Sequence, residues 1–159
     1  RPAGHRRGAD HARLGRVTPR PEASGTSLAI VSTPITLRIP ASSAWVVLAR
    51  TTATACCARL DFGVDRLEDV RLAVDEVAAM LIADAVPGSE IRCVFTPYDG
   101  GELDIALSAT TASGTLPRTD TFAWAVLTAL VDDVTATVDA SGITVVLRTS
   151  RSSATTVDA

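Results

Sequence analysis

The stretch Arg66-Leu67-Glu68-Asp69-Val70-Arg71-Leu72-Ala73-Val74-Asp75-Glu76-Val77, running on through Met80, Leu81 and Asp84 to Ala85, decides how the chain is read. Leu67, Val70, Val74, Val77 and Leu81 recur at alternating spacings of three and four, which makes one apolar stripe along a helix. Glu68, Asp69, Asp75 and Glu76 lie off that stripe. Asp65 is placed to cap this helix, with Glu68 three residues later completing a capping box. Pro87-Gly88 stops it. Upstream, a helix is expected from about Ser42 to Ala58, with Trp45, Leu48, Thr52 and Ala55 on one face, and Gly63 in the turn between the two helices.

Strands flank this pair. Ile35-Thr36-Leu37-Arg38-Ile39 alternates apolar and polar as a half-buried strand does, and Pro40 ends it. Glu90 to Pro97 and Leu103 to Ser108 are joined by Tyr98-Asp99-Gly100-Gly101, a hairpin signal. Thr110 to Arg118 reads as a loop, and Asp120 or Thr121 can cap a third helix through Phe122, Val126, Leu127, Leu130 and Val131. Val134 to Val138 and Ile143 to Leu147 form a last strand pair around Gly142. The order β-α-α-β-β-α-β-β implies a two-layer α/β sandwich, a mixed β-sheet with helices on one face.

Composition bounds the rest. At 159 residues the chain suits one domain with a real core. An apolar fraction of 47% excludes wholesale disorder, and only 4% aromatics leaves that core to Val, Leu, Ile and Ala. No run reaches the roughly 20 apolar residues that span a bilayer, and a signal peptide's ordered sections are missing, so a cytoplasmic protein without membrane contact is expected. There is no Lys, Asn or Gln, which removes a P-loop and a protein kinase site of the eukaryotic type. His5 and His11 both lie near the N-terminus, away from any core triad or zinc site. Cys56, Cys57 and Cys93 are an odd set with two adjacent, no disulfide framework. They read as buried thiols or as a redox pair between Cys93 and its neighbours.

Residues 1 to 33, rich in Arg, Pro and Gly, read as a disordered tail, and residues 150–159 as a flexible end, leaving one domain over 34–149. Arg1 in place of Met fits a truncated or misassigned start. Residues 1–34 carry six Arg against Asp10 and Glu22, a balance of +4, and the remainder a balance of −7. The acidic body argues against a nucleic-acid surface. The basic tail suits an acidic partner, nucleic acid or simple solvation.

Val70 to Val77 resembles the N-box helix of the anti-sigma serine kinases related to RsbW and SpoIIAB, in the GHKL (HATPase) superfamily. Leu127-Thr128-Ala129-Leu130-Val131-Asp132-Asp133-Val134, followed by Gly142 and an apolar strand, resembles the family's late helix and final strands. The resemblance covers about residues 35 to 149 and implies the GHKL (Bergerat) fold. It also implies a nucleotide site in which a helix Glu is the general base and an Asn four residues later holds Mg²⁺ on the ATP phosphates. Glu76 matches that Glu. Met80 stands where the Asn belongs, and a thioether is no ligand for a hard cation. Asp84, one turn on, is a poor geometric replacement. The family's Asp-x-Gly, whose Asp reads the adenine, falls on Ala109 and Thr111, and its Gly-x-Gly falls on Thr121 and Ala123. Phe122 and Trp124 are expected to fill the nucleotide's space.

The resemblance therefore implies a degenerate site with no cofactor, and a protein that sequesters an alternative sigma factor and is released by an anti-anti-sigma factor. A homodimer is implied as well. Arg50, placed off the Trp45/Leu48/Thr52 face, falls at the sigma-contacting Arg and is expected to be exposed; Arg59 and Arg71 are weaker candidates. The alternatives are an active ATP-dependent serine kinase using Glu76 and Mg·ATP, or an interaction module that has left sigma factors behind.

Overall fold

The computed structural model describes residues 33–151, so the tail expectations lie outside the described residues except at residue 150, where Ser150 completes the last strand instead of opening a flexible end. Strand β1 (Ile35–Pro40) leads through a 3-10 turn (Ser43–Trp45) into helices α1 (Val46–Arg59) and α2 (Val64–Asp84). Strands β2 (Glu90–Tyr98) and β3 (Glu102–Ala109), helix α3 (Phe122–Leu130), and strands β4 (Asp133–Asp139) and β5 (Gly142–Ser150) follow. The sheet order is β1-β2-β3-β5-β4.

The two-layer sandwich is as expected, but the sheet is not mixed: every neighbouring pair is antiparallel. Two helices between β1 and β2 return the chain for an antiparallel neighbour. The single crossover through α3 leaves β3 and β4 running the same way, yet β5 inserts between them and pairs with both. No two parallel strands touch.

Alternation sends Ile91, Cys93 and Phe95, Leu103, Ile105 and Leu107, and Ile143, Val145 and Leu147 to the covered face. They meet Val70, Ala73, Val74, Val77, Ala78 and Leu81 of α2, close to the expected stripe, with Leu67 half-buried at its edge. Helix α1 is turned from expectation. It buries Val46, Ala49, Ala53, Cys56 and Cys57, while Trp45 and Leu48 stay 49% and 42% exposed. Small side chains let α1 approach the sheet and α2 closely, and that close packing outweighs burial of the larger residues. The expected Asp65 cap is also displaced. Gly63 is the N-cap, with no side-chain bond, and Asp65 sits in the first turn, where its charge favours the helix dipole. Thr121 does cap α3, its Oγ1 accepting from Trp124 N at 3.3 Å.

Candidate functional site

The C-terminal half of α2 forms one wall of the expected site. Its opposite side is the segment 110–121, which leaves β3 and is stitched to the helix end. Thr111 bridges Ala85, Val86 N donates to Thr110 O at 2.9 Å, and Ala112 N donates to Asp84 O at 2.7 Å. The Asp84 carboxylate completes the clasp, accepting from Ser113 N at 3.2 Å and from the Ser113 hydroxyl. Met80, Leu81 and Asp84 of α2, Thr111, Ser113, Thr115, Leu116 and Pro117 of the segment, and Ile143 of β5 enclose a cavity of about 160 Å³.

Of the residues singled out in the sequence, Met80, Asp84 and Thr111 meet at this cavity. Ala109 is buried at the end of β3 just behind it. Glu76 lies a turn before Met80, half-buried, outside the lining, and with no hydrogen bond or ion pair among the described residues. Thr121 and Ala123 sit at the start of α3 and do not line the cavity. Phe122 overturns its expectation. It is 85% exposed, because it takes the first position of α3 and points away from the core, and Trp124, though buried, does not line the cavity either. Leu116 and Pro117 line the space instead.

Sequence reasoning missed Ser113, Thr115, Leu116, Pro117 and Ile143. The small polar run Thr111 to Thr115 carried a signal, but only as a loop. Thr111 Oγ1 is buried with no hydrogen-bond partner among the described residues, an unsatisfied group that costs free energy. Among these residues no group of three or more His, Cys, Asp or Glu is placed to hold a metal ion.

Arg50 is not the free, exposed side chain expected. Its Nη1 lies 3.0 Å from Asp75 Oδ2, the side chain about one-third exposed (34%), because α1 and α2 pack side by side at that level. Arg71 pairs with Glu68 three residues earlier on the same helix, and Arg59 is exposed at the end of α1. All three cysteines are free and buried. Burial pushes the Cys57 thiol up to about 12 and Cys93 up to about 11, and raises Cys56, so none is a thiolate at neutral pH. Among the described residues no helix is long and apolar enough to cross a membrane.

No family model matches the chain. The anti-sigma-F factor RsbW of Mycobacterium tuberculosis, in each of two strains, is 36% identical over 100 residues, which is 63% of this chain and 59% of the relative. The chain thus spans less than two-thirds of the length of the relatives it matches. A crystal structure of the RsbU and RsbW domains of a Mycobacterium tuberculosis protein matches with a TM-score of 0.60 at 14% identity, over 75% of this chain and 32% of that one. That second likeness concerns the fold alone.

Proposed function

We propose that this chain, RsbW-like in sequence and in fold, is an anti-sigma factor that sequesters an alternative sigma factor by binding it. On this reading the nucleotide site is degenerate, the protein is a cytoplasmic homodimer, and an anti-anti-sigma factor releases the sigma factor by competition.

The observation that carries the reading is the cavity beside Met80. A hard divalent cation calls for oxygen ligands, and the side chain facing the space from that turn is a thioether. The carboxylate one turn on, Asp84, is occupied by Ser113. A volume of about 160 Å³ also falls below the roughly 300–1,000 Å³ of ordinary small-molecule sites. The donor set does not fit Mg·ATP, and on this reading Glu76 carries out no phosphoryl transfer. The serine kinase alternative needs that site.

Sequestration needs only a surface. Arg50 supports it through its guanidinium, a planar fork suited to a partner carboxylate, held in place by Asp75 until a partner's acid replaces it. Calorimetric titration with Mg·ATP and a pull-down with candidate sigma factors test the reading together. No nucleotide binding is expected up to millimolar concentration, and micromolar affinity would overturn the degenerate site. Arg50→Ala is expected to weaken the sigma complex by about tenfold, whereas Asp75→Asn, which releases the guanidinium, leaves it at least as tight. Equal losses in both variants would remove Arg50 from the interface.

A further inference from the structure

We propose that the apolar run Leu28-Ala29-Ile30-Val31 of this chain seats in the groove between helix α1 and the edge strand β1 and closes that flank of the helix to other partners. The groove holds about 270 Å³ and is lined by Ile35, Thr52, Ala55, Cys56, Leu60 and Pro97. Among the described residues Arg59, which is exposed, is the one charged residue on its wall.

Helix α1 carries two apolar faces. Ala49, Ala53 and Cys57 are fully buried, whereas Trp45 and Leu48 look outward, and Thr52 and Ala55 continue their row at helical spacing into the groove. Thr52 Oγ1 donates to Leu48 O at 2.8 Å, so the one hydroxyl on the wall is satisfied within its own helix and asks nothing of an occupant. Ile35 opens β1 with 45% of its surface exposed, and no strand lies beyond β1 among the described residues. Aliphatic side chains are what such a wall takes from water.

The run is tied to the groove by the chain itself. Ile35 lines it, Val31 is four residues earlier, and Ser32, Thr33 and Pro34 between them are of the types that turn a chain back. In residues 1–33 it is the one stretch where apolar residues are consecutive, and an extended backbone turns Leu28 and Ile30 to the same side. The lengths agree. Thr52 and Leu60 are about 12 Å apart along the helix axis, and four extended residues span about 13 Å. A segment on so short a link meets the groove at an effective concentration on the order of millimolar, above that of a free protein partner. The seating is independent of whether the chain binds a sigma factor.

The test is methyl NOE spectroscopy on the full chain with Ala, Ile, Leu and Val methyls labelled, alongside alkylation of Cys56 by N-ethylmaleimide. Cross-peaks are expected from the Leu28 and Ile30 methyls to those of Ala55 and Leu60. Ile30→Asp should abolish them and speed the alkylation of Cys56 by about tenfold, the weight of one aliphatic side chain kept from water. Val17→Asp, which adds the same charge outside the run, should change neither. Missing cross-peaks, an unchanged rate in Ile30→Asp, or an equal rise in Val17→Asp overturn the proposal. So do cross-peaks that pass between chains in a mixture of labelled and unlabelled protein, since a second copy then fills the groove.

Discussion

Replacing Arg66 by Ala should undo the joint that fixes α3 to the rest of the fold. Arg66 lies in the first turn of α2, an unfavourable place for a cation in its own helix. Its guanidinium, though, sits at the C-terminus of α3, where a positive charge is favoured. Nη1 donates to Leu130 O at 3.0 Å, Nε donates to Ser150 O at 3.2 Å, and Nη2 pairs with the Asp132 carboxylate. The arginine side chain is only 11% exposed. Three hydrogen bonds from a charged donor are worth about 1.5–3 kcal/mol each in gross terms. Water recovers part of that on truncation, since Asp132 is already 26% exposed and keeps its bond from Ser150 Oγ. The net loss comes to about 3 kcal/mol, which for a domain of this size lowers the melting temperature by roughly 10 °C. Urea unfolding followed by circular dichroism measures it, and a cycle with Asp132→Ala should give a coupling energy of at least about 1 kcal/mol. A loss below about 1 kcal/mol with no coupling would refute the idea that this arginine is the fastening of α3.

The thiols and one glycine give two further tests. Because burial holds the protons of Cys57 (about 12) and Cys93 (about 11) more tightly in the folded state than the usual value of 9.0, stability is fully present below pH 9 and declines as pH rises from there toward 11 and 12. The urea midpoint should follow that decline, and Cys57→Ala/Cys93→Ala should flatten it; an unchanged slope would place the alkaline transition elsewhere. Gly142 has φ +130°, and a Cβ there would lie 2.1 Å from Ala109 O, so Gly142→Ala should cost about 3 kcal/mol or more in chemical unfolding. Gly100→Ala, with nothing within 4 Å of its Cβ position, should cost far less, and similar losses in the two would rule out this close approach as the cause.

How far the sequence could be read depended on side-chain size. The α2 stripe was legible because Val70, Val74, Val77 and Leu81 are large aliphatics at helical spacing, and all four are buried. The α1 face was not, because its inward residues are Ala49, Ala53, Cys56 and Cys57. A reading that sends the largest apolar groups inward then chooses Trp45 and Leu48. The same error exposed Arg50 on paper, while its partner Asp75 stands 25 residues away on another helix. Strand direction lay outside the periodic pattern altogether, since it follows from where β5 inserts. At the site, Met80 and Asp84 were legible through the family resemblance of the α2 helix, which sets them one and two turns beyond Glu76, whereas Ser113, Leu116 and Pro117 reach the cavity only through the fold of segment 110–121.

The residues around the cavity differ in what a substitution would cost the fold. Two residues that wall the cavity, Leu81 and Ile143, are also core residues. Changing their size leaves voids or forces overlap that the whole domain feels. The expected nucleotide positions are mixed: Glu76, Met80 and Ala123 are half-buried, so their identity can change at small cost in stability, whereas Ala109 and Thr111 are buried. The Asp84 carboxylate accepts from Ser113 N and from the Ser113 hydroxyl, so the residue that ends α2 also ties segment 110–121 to the helix.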